Sequence, residues 1–201
     1  MRKVLLEKNI EHLIHFTREE NLDSILQYGL RPRNKLEAEE CIVNDMYRYD
    51  RCEDAVCTSI EFPNYKMFYS LRTENPLTNW VVLAIDANVL LDFPCAFCET
   101  NAGNSDMYQV PIEERMGKRA FLEMFKDISY GRKREDLKIP DYYPTNPQAE
   151  VLVFGTIPVA YIKNVFFDNS KTLGNHHFPS HINGVVNGCY FSPRHDYRKW
   201  Q

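Results

Sequence analysis

The chain has 201 residues, of which 44% are hydrophobic, so it can bury one core but is too short for two full domains. We therefore expect one domain, residues 1–201. The net charge is −4, which excludes the strong positive field that nonspecific binding to long duplexes requires. Any contact with nucleic acid is expected to be local.

The sequence also lacks the signals of export and of a structural metal. The longest apolar run, Trp80 to Ile85, is far below the roughly 20 residues of a membrane span, and the first residues lack a signal-peptide core. We expect a soluble, cytoplasmic protein with reduced cysteines. Cys95 and Cys98 have CxxC spacing, but no second pair follows at zinc-site spacing, so no metal is expected.

Hydrophobic periodicity divides the chain into short elements. The first half has a strand at 13–17, an amphipathic helix at 19–30, a charged loop or irregular helix at 34–54, a strand at 55–60, a helix at 65–71 and a strand at 80–86. The second half has a polar stretch at 101–147, which includes one helix at 113–125, and strands at 149–154 and 161–168. This order predicts a mixed α+β domain.

Polar residues mark three places in this order. In the first strand, His15 and Thr17 share one face because side chains alternate along a strand. Glu150 opens a strand of apolar residues, where a carboxylate needs either a structural ion partner or a catalytic role. The stretch 101–147 is too long for a plain connector, which predicts a functional segment.

Three ordered blocks carry a resemblance to a known family. His15–Thr17, followed by Asn21–Leu30, resembles the opening motif of the DarT-type ADP-ribosyltransferase toxins, which modify bases in nucleic acid. Ser59–Phe68 is similar to the segment after that family's NAD-contacting arginine. Gln148–Val153, followed by Ile157–Pro158, resembles the strand of the catalytic glutamate.

The resemblance implies a split-sheet ADP-ribosyltransferase fold with NAD, the co-substrate, in a cleft between two small sheets. Glu150 is then the catalytic residue, because a fixed carboxylate can stabilise positive charge on the ribose or deprotonate the attacking base. The resemblance assigns His15, Thr17 and Asn21 to NAD binding. We also expect Tyr65 and Met67 there, with Tyr65 as a ring on which nicotinamide or a base stacks, unless it is only a core residue of its helix.

An arginine before the strand at 55–60 is also implied, since its planar fork of donors suits a pyrophosphate. Two residues compete for this role. We favour Arg48, with Arg51 as the alternative.

The acceptor predicted by the resemblance is a nucleobase, with single-stranded DNA favoured over RNA. Phosphate contacts and stacking are expected from Arg132, Lys133, Arg134, Tyr142 and Tyr143, unless the stretch 101–147 is only a flexible lid. A protein side chain as acceptor and a noncatalytic NAD-binding or nucleic-acid-binding module remain alternatives. The resemblance further implies a cognate antitoxin and a role in a toxin–antitoxin system or in defence against phage.

Overall fold

A mixed β-sheet organises the chain in the computed structural model, which describes residues 1–36, 49–128 and 131–200. The strands are β1 His12–Arg18, β2 Ala55–Ile60, β3 Trp80–Asp86, β4 Cys95–Cys98, β5 Glu150–Phe154, β6 Ile162–Phe167 and β7 Asn183–Val186. Their order across the sheet is β4-β5-β2-β1-β3-β6-β7. Neighbouring strands run antiparallel, except that β7 is parallel to β6.

The sheet divides between β1 and β2. These strands pair through Leu13 with Ile60 and Ile14 with Ser59, whereas β1 pairs with β3 along its entire length. Beyond these two pairs the sheet opens into two smaller sheets, β4-β5-β2 and β1-β3-β6-β7. The split sheet that the sequence predicts is therefore confirmed.

Short helices cover both faces. They are α1 Arg2–Lys8, α2 Leu22–Tyr28, α3 Tyr65–Glu74, α4 Val89–Asp92, α5 Ser105–Tyr108, α6 Gly117–Glu123, α7 Arg134–Leu137 and α8 Ser170–Leu173. Short 3₁₀ helices lie at Glu19–Asn21, Arg33–Lys35, Ile112–Arg115, Val159–Tyr161, Gly188–Phe191 and Tyr197–Trp200. None of the helices in the described ranges has the length and apolarity that a membrane crossing requires.

Alternation along β1 places its side chains in two cores. Leu13 joins the core that includes Leu22 and Ile25 of α2. Ile14 joins the opposite core, which includes Phe68 of α3. Burying one such side chain contributes about 1.5–3 kcal/mol, so the two cores fix α2 and α3 on opposite sides of β1.

The predicted elements agree with most of this architecture. The strands at 55–60 and 80–86 have the predicted bounds, and the helix at 65–71 extends to Glu74. The helix predicted at 113–125 is instead a 3₁₀ helix followed by α6, because Gly117 has φ 79° and interrupts the helical backbone. Residues 37–48 of the predicted loop lie outside the described residues.

Candidate active site

A cavity of about 400 Å³ opens where β1 and β2 separate. This volume lies in the range of roughly 300–1,000 Å³ that small-molecule sites occupy. The residues that line it and were singled out from the sequence are His15, Thr17, Asn21, Met67 and Glu150. The fold thus brings together side chains from β1, α3, β5 and the 3₁₀ helix before α2.

Glu150 is the first residue of β5 and is 7% exposed. Its Oε1 accepts hydrogen bonds from Nδ2 of Asn101 at 3.1 Å and from Nδ2 of Asn64 at 3.3 Å. Its Oε2 accepts the backbone N–H of Ala102 at 2.9 Å. Hydrogen-bond donors on both oxygens favour the ionised form of a buried carboxyl group.

His15 spans the gap between the two small sheets. Its Nδ1 lies 2.8 Å from the carbonyl oxygen of Cys57 in β2. A carbonyl oxygen only accepts, so Nδ1 carries the proton and donates. Burial lowers the pKa of His15, which leaves the neutral ring with an unprotonated Nε2 that can accept a hydrogen bond.

Thr17 and Asn21 form a buried pair on the same side of β1. Nδ2 of Asn21 donates to Oγ1 of Thr17 at 2.9 Å, so the 3₁₀ helix is tied to the strand at the cavity wall. Both side chains are less than 5% exposed. Because both side chains are buried, this hydrogen bond satisfies polar groups that are shielded from water.

Gly29 closes the wall at the end of α2. Its φ is 81°, and a Cβ placed there would lie 2.4 Å from the carbonyl oxygen of Ile157. The next residue, Leu30, exchanges two backbone hydrogen bonds with Ile157, at 2.9 and 2.8 Å. The chain therefore approaches the segment after β5 closely enough that only glycine fits.

The cavity also has charged residues that the sequence analysis did not single out. Arg31, Arg33 and Asp50 line it together with Glu150. Nη2 of Arg31 donates to Oγ of Ser24 at 3.2 Å, and its guanidinium lies 5.0 Å from the ring centroid of Tyr28. Two cations and two carboxylates thus share one small cleft.

Three of the residues predicted to bind NAD are not among the described residues that line the cavity. Arg48 lies outside the described residues. Arg51 is exposed, has φ 58° and is not among the described residues that line the cavity. Tyr65 is buried on the other side of α3, where burial and the charge of Asp196 raise its pKa to about 12.

The residues predicted to bind the acceptor lie away from the cavity lining. Lys133 is exposed. Nε of Arg132 donates to the carbonyl oxygen of Lys199, and its guanidinium lies 4.6 Å from the ring centroid of Trp200. Arg134 donates to the carbonyl oxygens of Tyr143 and Pro140, so its guanidinium holds the chain that leads towards β5.

Tyr142 and Tyr143 are half-buried and belong to an aromatic cluster. Their ring centroids are 4.7 Å apart, and the Tyr143 ring meets Phe62 edge-on at 5.8 Å. Phe62 in turn lies 5.8 Å from Tyr190. The cluster adjoins the turn that carries Asn64.

Cys95 and Cys98 lie at the two ends of β4, and both are buried. Cys95 packs into the core that contains Phe97, whereas Cys98 packs on the opposite face with Ala96 and Leu152. Burial raises the pKa of both thiols, to about 12 for Cys95 and about 11 for Cys98. The two cysteines of the CxxC sequence therefore pack into the cores on opposite faces of β4.

Asn64 and Asn101 are the main site residues that the sequence analysis missed. Asn64 stands inside the Ser59–Phe68 block directly before a helix, a position typical of a capping asparagine. That signal identifies a cap but not its contact with Glu150. Asn101 opens the polar stretch and carries no such signal.

Comparisons with solved structures place this geometry in a known fold. Thermus sp. 2.9 DarT in complex with ADP-ribosylated ssDNA aligns with a TM-score of 0.64 and 14% identity over 92% of this chain and 97% of its own. The same protein with NAD⁺ gives a TM-score of 0.56 and 16% identity over 90% and 98%. Thermosipho africanus DarTG with ADP-ribose gives a TM-score of 0.62 and 15% identity over 90% of this chain, which spans about half (51%) of the Thermosipho chain.

The fold is therefore that of an ADP-ribosyltransferase. The family model of the ssDNA thymidine ADP-ribosyltransferase DarT matches residues 14–177, which is most of the chain. The chain belongs to the DarT family. No functionally curated protein matches it in sequence.

Proposed function

We propose that this chain transfers ADP-ribose from NAD to the thymine base of single-stranded DNA, with Glu150 as the catalytic residue. The observation that carries the proposal is the position of Glu150, buried and hydrogen-bonded in a cavity that also has His15, Thr17, Asn21 and Met67 in its wall. Membership of the DarT family supports the acceptor.

The residues of the cavity suit NAD. It combines apolar walls for rings, hydrogen-bonding groups at His15 and Thr17, and the guanidinium groups of Arg31 and Arg33. Guanidinium groups bind phosphate oxygens through paired donors, so we assign the pyrophosphate to these two arginines together with Arg48, whose role stays a proposal.

Glu150 has two tasks in this reaction. NAD supplies the ADP-ribosyl group, whose bond to nicotinamide breaks as a bond to the base forms. The ionised carboxylate stabilises the positive charge that develops on the ribose. It can also accept the proton of the attacking nitrogen, since thymidine has one free ring N–H, at N3, and that nitrogen must lose its proton to form the new bond.

We assign the acceptor surface to the aromatic cluster of Phe62, Tyr142 and Tyr143 and to the nearby basic residues. Half-buried aromatic rings offer stacking faces to unpaired bases, and cations beside them contact phosphates. Lys133 is the best probe because its side chain is exposed. Arg134 serves instead to hold the backbone at Tyr143 and Pro140.

We also propose that the chain acts as a toxin with a cognate antitoxin that removes the modification or blocks the cleft. The resemblance of its motifs to the DarT toxins and its structural match to a DarTG protein support this role. Expression of the wild type in bacteria should arrest growth, and Glu150→Gln should not.

Incubation with labelled NAD tests the proposed reaction. The acceptors are a single-stranded DNA oligonucleotide with thymidine, the same oligonucleotide without thymidine, the matching RNA, and bulk protein. Label is expected on the first alone. Label on RNA or on protein would support those alternative acceptors, and the absence of both transfer and NAD hydrolysis would support a noncatalytic module.

The same assay tests the acceptor surface. Lys133→Ala should weaken transfer and reduce its dependence on salt, because a protein that contacts fewer phosphates releases fewer counterions. Lys3→Ala, an exposed lysine of α1, is the matched control. An unchanged salt profile for Lys133→Ala would contradict a phosphate contact at this residue.

A further inference from the structure

Asn64 and Asn101 contact Glu150 in the same way, although they come from different parts of the fold. Asn64 precedes α3, and its Oδ1 accepts the backbone N–H of Met67 at 3.2 Å. Asn101 follows β4, and its Oδ1 accepts the backbone N–H of Gly103 at 2.9 Å. In both residues, Nδ2 faces Oε1 of Glu150.

The backbone contacts determine which way each amide points. A backbone N–H can only donate, so the atom that faces it must be the amide oxygen. Nδ2 of each asparagine is then forced towards Glu150. The two amides therefore cannot flip to present oxygen to the carboxylate without losing a hydrogen bond to the backbone.

Burial makes these donors necessary. Asn64 is 1% exposed, and Glu150 is 7% exposed. A buried carboxylate is unfavourable unless donors surround it. Asn101 brings a further donor with it, because the adjacent Ala102 N–H binds the other carboxylate oxygen at 2.9 Å.

We propose that Asn64 and Asn101 are positioning residues that hold the Glu150 carboxylate ionised and in one orientation. Asn64 holds it from the amino terminus of α3, and Asn101 holds it from the turn at 101–103. The inference rests on the proposed catalytic role of Glu150. It adds that the reaction depends on two asparagines that act through that carboxylate.

An ordinary structural role for either asparagine predicts a different outcome from this proposal. If Asn64 only caps α3, aspartate would replace it well, since Asp and Asn cap helices about equally. Asn64→Asp keeps the size and the acceptor for Met67 but loses the donor to Glu150 and adds a like charge. Asn101→Asp does the same for the turn at Gly103.

Transfer to a thymidine-containing single-stranded oligonucleotide measures the effect. We expect either variant to lose about 10²-fold in kcat, which is typical when a catalytic group is misplaced, with little change in affinity for a non-hydrolysable NAD analogue. Because a neighbouring carboxylate raises the pKa of Glu150, the acid limb of the pH profile should move to higher pH.

Asn169→Asp is the matched control. Asn169 caps α8, where its Oδ1 accepts the N–H of Thr172 at 3.0 Å. It follows β6, which belongs to the small sheet that does not contain Glu150. The same chemical change there should leave kcat and the pH profile unaltered. Should an aspartate variant melt below the assay temperature, Asn64→Ser keeps a capping oxygen and removes the amide donor without adding charge.

A carbon NMR titration of the Glu150 carboxyl group, assigned by comparison with Glu150→Gln, gives a second reading that needs no turnover. Positioning predicts that its pKa rises in Asn64→Asp and Asn101→Asp. Wild-type kcat per folded molecule and an unchanged Glu150 pKa in both variants would overturn the inference. If the wild type fails to modify DNA, the proposed function falls, and the titration still decides whether the asparagines hold Glu150.

Discussion

Glu150 and its partners show which parts of a site the sequence reveals. The strand that begins at Glu150 follows from its run of apolar residues, and the catalytic role of its carboxylate is implied by the resemblance to the DarT toxins. Its asparagine partners are 86 and 49 residues away in the chain. Contacts at that separation leave no local pattern, so only the fold reveals them.

His15 and His12 lie on the same strand and should respond to pH in opposite ways. Burial lowers the pKa of His15, whereas the carboxylate of Glu61, whose Oε2 lies 3.8 Å from Nδ1 of His12, raises the pKa of His12. A lowered pKa means that the unfolded chain binds protons first as the pH falls below about 6.5, so His15 then destabilises the fold. A raised pKa stabilises the fold below about 6.5, and this gain is lost as the pH rises through the folded-state pKa.

Urea unfolding of His15→Asn and His12→Asn between pH 5 and pH 8 tests both signs. As the pH falls from 8 to 5, the wild type should lose stability relative to His15→Asn. As the pH rises from 5 to 8, the wild type should lose stability relative to His12→Asn. Parallel curves for wild type and both variants would contradict the two pKa directions.

The C-terminal segment after β7 contains a buried ion pair that the sequence does not reveal. Arg194 is 2% exposed, although it lies close in the chain to the exposed residues Arg198 and Lys199. It binds both oxygens of Asp196 at 2.7 Å and donates to the carbonyl oxygens of Pro144 and Thr145. The segment thereby holds the chain that leads into β5.

Arg194→Ala should lower the free energy of unfolding by about 3–5 kcal/mol, since it leaves the buried Asp196 without its partner. Arg198→Ala, at an exposed position, is the control and should change it by less than about 0.5 kcal/mol. Urea denaturation measures both. Equal stability of the two variants would show that the ion pair does not hold the segment.

Gly29 and Gly155 show two different physical reasons for a glycine at the end of an element. Both have positive φ, 81° and 91°, but a Cβ at Gly29 meets the Ile157 carbonyl whereas nothing lies within 4 Å of one at Gly155. Gly155→Ala should cost about 1–2 kcal/mol from backbone strain alone. Gly29→Ala should cost more, and it should also weaken NAD binding, because Gly29 lines the cavity. Similar losses in melting temperature and NAD affinity for both would contradict the close approach.

Sequence patterns identify the central strands of the sheet but miss the strands at its two edges. The strands at 55–60 and 80–86 have the predicted bounds because short runs rich in apolar and β-branched residues, bounded by turn residues, identify strands. β4 and β7 were not predicted. β4 has four residues and is buried by α6 and by the neighbouring strand β5, while β7 is a short, mostly exposed edge strand with weak alternation.

The charge of the whole chain also bears on its function. With a net charge of −4, attraction to DNA depends on local cations rather than on the overall field. The proposed cleft for one nucleotide co-substrate and the proposed small surface for a few unpaired bases are consistent with this charge. The proposed reaction thus depends on one carboxylate in that cleft.

The rate of ADP-ribose transfer by Glu150→Gln is the most direct test. Glutamine keeps the size of the side chain but removes the charge that stabilises the ribose and accepts the proton, so we predict a folded variant with near-native melting temperature and a rate lower by about 10²-fold to 10⁴-fold. A folded Glu150→Gln variant that transfers ADP-ribose at nearly the wild-type rate would contradict the account.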